Sequence, residues 1–330
     1  MLVDGVLLLV GFVLLIVGAD YLVRGAVSIA ERLGVSPLII GLTIVACGTS
    51  LPELVVSVRA TLAGSAPLAI GNVVGSNICN ILLILGTAAL LAPLRCDRVV
   101  LLRDGSMMLI ATAYFAGATL VGGYGPAYGI VAILGLVAAM LFSYWHDRKS
   151  GDDLHQLEAE EVSPIQGSWA LLILAVVLGL AGVIGGAELL VESAVSIARG
   201  VGVSEEVIGL TLVAFGTSVP ELATTVVAAM RKHADVAIGN VLGSNLFNLL
   251  GILGVTSLID IIPTPPATAA FDVWVLIAVS VLMIVFMRTG WRLGRREGAV
   301  LVLLYAVFVV AQFLGIGQMM VEEMGPVSLT

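Results

Sequence analysis

Residues 36–86 of this chain read SPLIIGLTIVACGTSLPELVVSVRATLAGSAPLAIGNVVGSNICNILLILG, and residues 204–254 read SEEVIGLTLVAFGTSVPELATTVVAAMRKHADVAIGNVLGSNLFNLLGILG. The offset is a constant 168 residues with no gap, and 29 of the 51 positions are identical. A repeat this strong constrains the fold before any local feature does. Because the offset is about half the chain, it marks a duplicated half-protein and not a solenoid. Each copy carries one glutamate, Glu53 or Glu221, inside an apolar stretch broken by Gly, Thr, Ser and Pro. Matched, interrupted hydrophobic segments in two halves are the sequence mark of a transporter's binding site.

Apolar residues make up 59% of the chain and charged residues 12%, against roughly 45–50% and about 25% in soluble domains. The chain therefore reads as an integral membrane protein of about ten spans, each roughly 20 residues long. The expected spans are 5–23, 37–62, 66–92, 105–121 and 127–145, then 169–190, 205–230, 234–259, 270–287 and 298–318. Residues 24–36 read as a short amphipathic link, and GGYGP after span 4 as a turn. With no basic residue before Arg24, the first span is expected to be uncleaved. The domains are then 1–145, an acidic cytoplasmic linker at 146–168, and 169–330. The linker reads first as a tether, and secondarily as a regulatory ion or partner site.

Placing the N-terminus outside puts 13 of the 15 basic residues on the cytoplasmic side, leaving only Arg59 and Arg199 outside. That bias fixes orientation. Five spans per repeat is an odd number, so the second copy must sit upside down relative to the first. The expected fold class is an all-α polytopic membrane protein with ten transmembrane helices in two inverted five-helix repeats, both termini outside.

The motifs supply hard oxygen. Pro52 and Pro220 lack an N–H and crowd the carbonyl four residues back, which frees the carbonyls of Gly48 and Gly216. Thr49, Ser50 and Glu53 share one helix face, as do Thr217, Ser218 and Glu221. Ser76 with Asn80, and Ser244 with Asn248, are four apart and share a face in the next helix of each copy. Gly71, Gly75, Gly239 and Gly243 form GxxxG patterns that read as close helix packing. These faces make a cage of carboxylates, amides, hydroxyls and carbonyls suited to hard cations such as Ca²⁺. A buried structural carboxylic acid is the competing reading of Glu53 and Glu221, but membrane-buried ionisable groups are costly and usually functional. Asn77 and Asn245, offset from the ligand face, read either as ligands or as ties between helices.

Other polar residues carry less. Cys47, Cys79 and Cys96 suggest packing and no disulfide framework, and His146, His155 and His233 have no partner at ligand spacing. Asp20 and Glu188 read as helix-end anchors, and Glu205 and Glu206 as first-turn residues complementing a helix dipole. Arg288, Arg292, Arg295 and Arg296 read as a topology signal. No Ser/Lys, Asp/Asp or HExxH constellation points to an enzyme.

GTSLPE followed by GNVVGSNICNILLILG, repeated as GTSVPE and GNVLGSNLFNLLGILG, resembles the two alpha-repeats of the cation/calcium exchanger superfamily, and most closely its prokaryotic sodium/calcium exchanger branch. The resemblance implies that Glu53 and Glu221 are central carboxylates bridging calcium and sodium positions. It implies backbone carbonyls from Thr49, Thr217, Ala46 and Ala214, and hydroxyls from Ser50, Ser76, Ser218 and Ser244. Asn80 and Asn248 would complete the central position. Relatives often carry Asp at one of these two positions, so this chain has two carboxylates where they have three or four, which speaks against potassium coupling. Spans 1 and 6 are expected to slide across a rigid remainder. The expected function is Na⁺/Ca²⁺ antiport across the cytoplasmic (inner) membrane, normally extruding calcium, with Ca²⁺ and Na⁺ as substrates, no cofactor and no nucleic-acid partner. H⁺/Ca²⁺ antiport is the alternative, and a passive cation channel ranks below it.

Overall fold

A computed structural model describes residues 2–150, 165, 167–201 and 214–324. Most of the 146–168 linker, together with Glu205, Glu206 and the rest of 202–213, lies outside the described residues. The first half comprises α1 (Leu2–Leu33), α2 (Pro37–Thr49), α3 (Leu51–Leu62), α4 (Pro67–Leu91), α5 (Arg98–Val121) and α6 (Pro126–Ser150). The second comprises α7 (Trp169–Gly200), α8 (Val219–Met230), α9 (Ala234–Ile259), α10 (Thr268–Trp291), α11 (Arg295–Phe313) and α12 (Ile316–Met324). Among the described residues, eight of these are long and apolar enough to cross a bilayer, and α2 with α3, bent by 45°, makes a ninth. The apolar α8 holds the corresponding place in the second half, preceded by a helical turn at Ala214–Gly216.

Residues 24–33 are not a link. They continue α1, because the first left-handed residue among those described is Gly34, at φ 64°. At 32 residues each, α1 and α7 are about 48 Å long, well beyond a hydrocarbon core of about 30 Å. The turn expected at GGYGP is present, with Gly122 at φ 108° ending α5.

Two short ribbons reveal how the halves are related. β1 (Leu94–Arg95) pairs with β4 (Arg292–Leu293), and β2 (Gly123–Tyr124) pairs with β3 (Ile262–Pro263), both antiparallel. β1 and β3 are equivalent under the 168-residue offset, and β2 and β4 nearly so. α5 separates β1 from β2 by a full span, so the two ribbons sit at opposite ends of the molecule. Equivalent strands therefore lie at opposite ends, which is what an inverted repeat requires and a parallel one forbids.

Burial sorts the helices into centre and rim. The most apolar windows of α4 and α9 are 78% and 94% buried, whereas those of α6 and α11 are 28% and 11% buried. The motif-bearing helices are thus enclosed by the others, whose exposed Leu, Val and Ile side chains match a lipid-facing surface. α1 and α7 pack against each other along a glycine seam. A Cβ on Gly18 would fall 2.7 Å from the Val183 nitrogen, one on Gly179 would fall 2.6 Å from the Leu22 nitrogen, and Gly11 and Gly186 repeat the arrangement one heptad away.

The GxxxG reading holds for one copy. A Cβ on Gly239 or Gly243 would strike the carbonyls of Leu38 and Leu42 on α2. One on Gly71 or Gly75 would meet no described atom within 4 Å, and the residues equivalent to Leu38 and Leu42, at 206 and 210, lie outside the described residues.

Candidate cation-binding site

Both motif helices break at matched serines. Ser50 (φ −85°, ψ 10°) and Ser218 (φ −90°, ψ 3°) leave the helical region, with Pro52 and Pro220 inside the first turn that follows. The break aims each serine across the pseudo-twofold axis. Ser50 Oγ donates to Glu221 Oε1 at 2.8 Å, and Ser218 Oγ donates to Glu53 Oε1 at 3.3 Å. Each carboxylate is therefore held by a hydroxyl of the opposite repeat, and the two glutamates face one shared centre. Both are essentially buried, at 1% and 2% exposure.

The next helices close the cage. Asn80 opens a π-helical turn in α4 (Asn80–Ile84), and Asn248 lies in the equivalent turn of α9 (Phe247–Ile252). Such turns widen a helix by one residue and gather at functional sites. Asn248 Nδ2 donates to Ser76 Oγ at 3.1 Å, again between repeats, and Asn80 Nδ2 donates to Asn245 Oδ1 at 3.3 Å. Asn245 thus acts as a tie between helices. Asn77 Nδ2 donates to the Val73 carbonyl within its own helix.

What these bonds leave over defines the chemistry. Glu53 Oε2, Glu221 Oε2, Asn80 Oδ1, Asn248 Oδ1 and Ser244 Oγ are buried and have no hydrogen-bond partner among the described residues. Buried polar atoms are nearly always satisfied, so five orphaned oxygens on four adjoining helices call for an explanation. A hard cation supplies one, since it needs oxygen and offers no proton. Thr49 and Ser50 are fully buried, while Thr217 is half-buried. The Ala46 carbonyl already accepts from Ser50 N (3.1 Å) and Thr49 Oγ1 (3.3 Å), and the side chain of Ala214 is not among those described.

A supporting layer went unread in the sequence. Asn72 Nδ2 donates to the Glu53 carbonyl (3.1 Å) and to Ser57 Oγ (2.9 Å), bracing the helix that carries the carboxylate. Its equivalent, Asn240, donates to Thr225 Oγ1 at 2.9 Å. Both asparagines are identical in the repeat, which was the available signal. Away from the site, Asp104 is fully buried and takes two bonds from Arg103 (3.0 and 2.7 Å) and one from Ser143 (2.6 Å). Asp20 and Glu188 are not helix-end residues, because α1 continues to Leu33 and α7 to Gly200; within α1, Asp20 pairs with Arg231 at 2.6 Å, while Glu188 is exposed. Cys79 and Cys96 are buried free thiols, and burial pushes Cys96, in the loop before α5, up to about 12.

Comparison with known proteins adds an independent line. The family model described as "Sodium/calcium exchanger protein" matches residues 4–145 and 171–314, one block in each half. The putative antiporter CaxA of Alkalimonas amylolytica is 40% identical over 316 residues, covering 92% of this chain and 97% of its own. The sodium/calcium exchanger MaX1 of Methanosarcina acetivorans is 35% identical, covering 94% and 99%. The inner membrane protein YrbG of Escherichia coli is 36% identical, covering 94% and 96%. Among solved structures, the sodium-calcium exchanger NCX_Mj soaked with 2.5 mM Na⁺ and 0.1 mM Ca²⁺ superposes with a TM-score of 0.80 at 31% identity, covering 94% of this chain and 99% of that one. The duplicated motif, the inverted halves and the crossed glutamates thus meet full-length matches to exchangers, and the chain belongs to the sodium/calcium exchanger protein family.

Proposed function

We propose that the chain is a secondary antiporter that admits Na⁺ down its gradient and extrudes Ca²⁺ across the cytoplasmic membrane, through one site exposed alternately to each side. The observation that carries this reading is the pair of crossed Ser–Glu bonds beside five orphaned oxygens. Glu53 and Glu221 bind the ion with charge, Asn80 and Asn248 with amide oxygens, Ser50, Ser76, Ser218 and Ser244 with hydroxyls, and Thr49, Thr217, Ala46 and Ala214 with backbone carbonyls, the Ala46 oxygen giving up its long bond from Thr49 Oγ1 to the ion. Sodium is favoured as the counter-ion because a relative of full-length coverage is a sodium/calcium exchanger.

Charge balance follows from two carboxylates. One Ca²⁺ or two Na⁺ neutralises them, whereas three Na⁺ leave one positive charge over. Each net charge moved is worth about 2.3 kcal/mol per 100 mV, so an uneven count harnesses the membrane voltage. The glycine seam supports α1 and α7 moving as one body across the remainder. Both termini lie outside and the 146–168 segment lies in the cytoplasm.

The test is radiolabelled Ca²⁺ uptake into proteoliposomes with only the internal cation varied. Internal Na⁺ should drive uptake where internal Li⁺ or choline does not. Uptake indifferent to Na⁺ and driven by a pH gradient would replace this reading with H⁺/Ca²⁺ exchange. Flux that needs no counter-ion would replace it with a channel.

A further inference from the structure

The π-helical turn that carries Asn248 leaves one carbonyl behind. Where the turn ends, Leu253 N–H donates to the Asn248 carbonyl, five residues back, and passes over the carbonyl of Leu249. Leu249 is fully buried, and a buried carbonyl without a donor is costly. The donor comes from another helix. Tyr128 Oη, on α6, donates to the Leu249 carbonyl at 2.9 Å.

Tyr128 is held in place from several directions. Its ring stacks on Tyr114, with centroids 4.7 Å apart and planes 5° apart, and meets Tyr124 edge-on at 5.0 Å. Tyr114 Oη donates to the Tyr128 carbonyl at 3.2 Å. The next residue, Gly129, brings α6 so close to α9 that a Cβ there would fall 2.6 Å from the Gly254 oxygen. At offsets of 168 and 169 residues the second half carries Arg296 and Glu297, so the π turn of α4 has no tyrosine at the equivalent place. The device belongs to Asn248 alone.

We propose that Tyr128 is a positioning residue for the cation: its hydroxyl keeps the π turn open at Leu249 and thereby keeps the Asn248 amide in the cage. Asn248 Nδ2 donates to Ser76 Oγ at 3.1 Å and leaves Oδ1 over, so the aim of that oxygen depends on where the turn sets its backbone. Without the Tyr128 hydroxyl, the nearest donor in the helix for the Leu249 carbonyl is Leu253 N–H, four residues on. A bond to it tightens the turn to α geometry and draws Asn248 off the cage. The inference rests on Asn248 being a Ca²⁺ ligand, as proposed above.

The test is radiolabelled Ca²⁺ uptake by the full-length protein in Na⁺-loaded proteoliposomes, read as KM for Ca²⁺ and maximal rate. Tyr128→Phe keeps the stacked ring and removes only the donor. Its KM should rise about tenfold, equivalent to about 1.4 kcal/mol. Its maximal rate should stay within about twofold of wild type, the pattern of a lost binding interaction. A general folding defect would do the reverse, lowering the rate through loss of active protein and leaving KM alone. Asn248→Ala should raise KM as well, and adding Tyr128→Phe to it should change KM by less than about twofold, because two changes acting through one amide are not additive. Tyr114→Phe removes a hydroxyl from the same stack without touching the Leu249 carbonyl, and its KM should match wild type. Incorporating 4-aminophenylalanine at position 128 restores a donor and should restore KM; 4-methylphenylalanine, which fills the space of the hydroxyl without a proton to donate, is the second version if Tyr128→Phe does not fold. An unchanged KM in Tyr128→Phe beside a raised one in Asn248→Ala would overturn this inference alone, as would full multiplication of the two effects in the double variant. An unchanged KM in Asn248→Ala would overturn the reading of Asn248 as a ligand, and this inference with it.

Discussion

Gly18→Ala tests whether α1 and α7 form one packed unit. The added methyl would sit 2.7 Å from the Val183 nitrogen and 2.8 Å from both the Gly179 oxygen and the Gly182 carbonyl carbon. All three are backbone atoms, which cannot swing aside as a side chain can. Ordinary contact at such atoms begins near 3.4 Å, so the helices must part by roughly 0.6–0.7 Å along the seam. Overpacking a close-packed interface costs about 1–3 kcal/mol, against a gain of about 0.5–1 kcal/mol from replacing a helical glycine. The control is Gly135→Ala in α6, where a Cβ meets nothing within 4 Å; it should keep the gain and incur no cost. The assay is the thermal midpoint of the purified protein in detergent, read beside the initial Ca²⁺ uptake rate in proteoliposomes. Gly18→Ala should melt below wild type and Gly135→Ala at or above it, with uptake impaired only in the former. A Gly18→Ala protein as stable and as fast as Gly135→Ala would refute the backbone contact and, with it, the single moving body.

Three further outcomes follow from the same structure. Glu221→Gln should lose Ca²⁺ binding by about 2–5 kcal/mol, the usual loss of affinity on truncating one partner of a buried, hydrogen-bonded charge pair, while circular dichroism and monodispersity stay at wild type; retained binding would remove Glu221 from the site. His233 lies in the short loop between α8 and α9, and burial, then the nearby Arg231, hold its imidazole below the ordinary value. Its contribution to stability is therefore full above about pH 6.5 and lost as pH falls through the lowered value, so the midpoint difference between wild type and His233→Gln should shrink from pH 7.5 to pH 5.5 and would contradict the assignment if constant. Cysteine labels in the 146–168 segment should react only with reagents reaching the cytoplasm, and labels after residue 320 only with external ones. Both labels on one side would contradict the orientation.

The repeat made the site legible because chemistry there is written twice. Glu53, Ser50, Ser76 and Asn80 could be paired with Glu221, Ser218, Ser244 and Asn248 by counting, and the structure joins the two sets through hydrogen bonds between repeats. The sequence did not say that each serine serves the glutamate of the other half, since that depends on the bend at Ser50 and Ser218. The seam was harder to see. Gly11 and Gly18 precede Gly179 and Gly186 by the same 168 residues, yet they stand in uniformly apolar helices where a glycine announces no partner. Asp104 was hidden for the opposite reason. Arg103 beside it reads as a topology signal, and only the fold brings Ser143 to the same carboxylate.

The central claim is that two inverted half-proteins build one cation site between Glu53 and Glu221. Anomalous difference density from crystals of the protein soaked in a heavier divalent cation tests it most directly. The account predicts a strong peak between the two carboxylates, about 2.3–2.6 Å from Glu53 Oε2 and Glu221 Oε2, as oxygen ligation of a calcium-like ion requires, with Asn80 Oδ1 and Asn248 Oδ1 turned toward it. Divalent density only elsewhere, or at two separated positions each served by one glutamate, would contradict it.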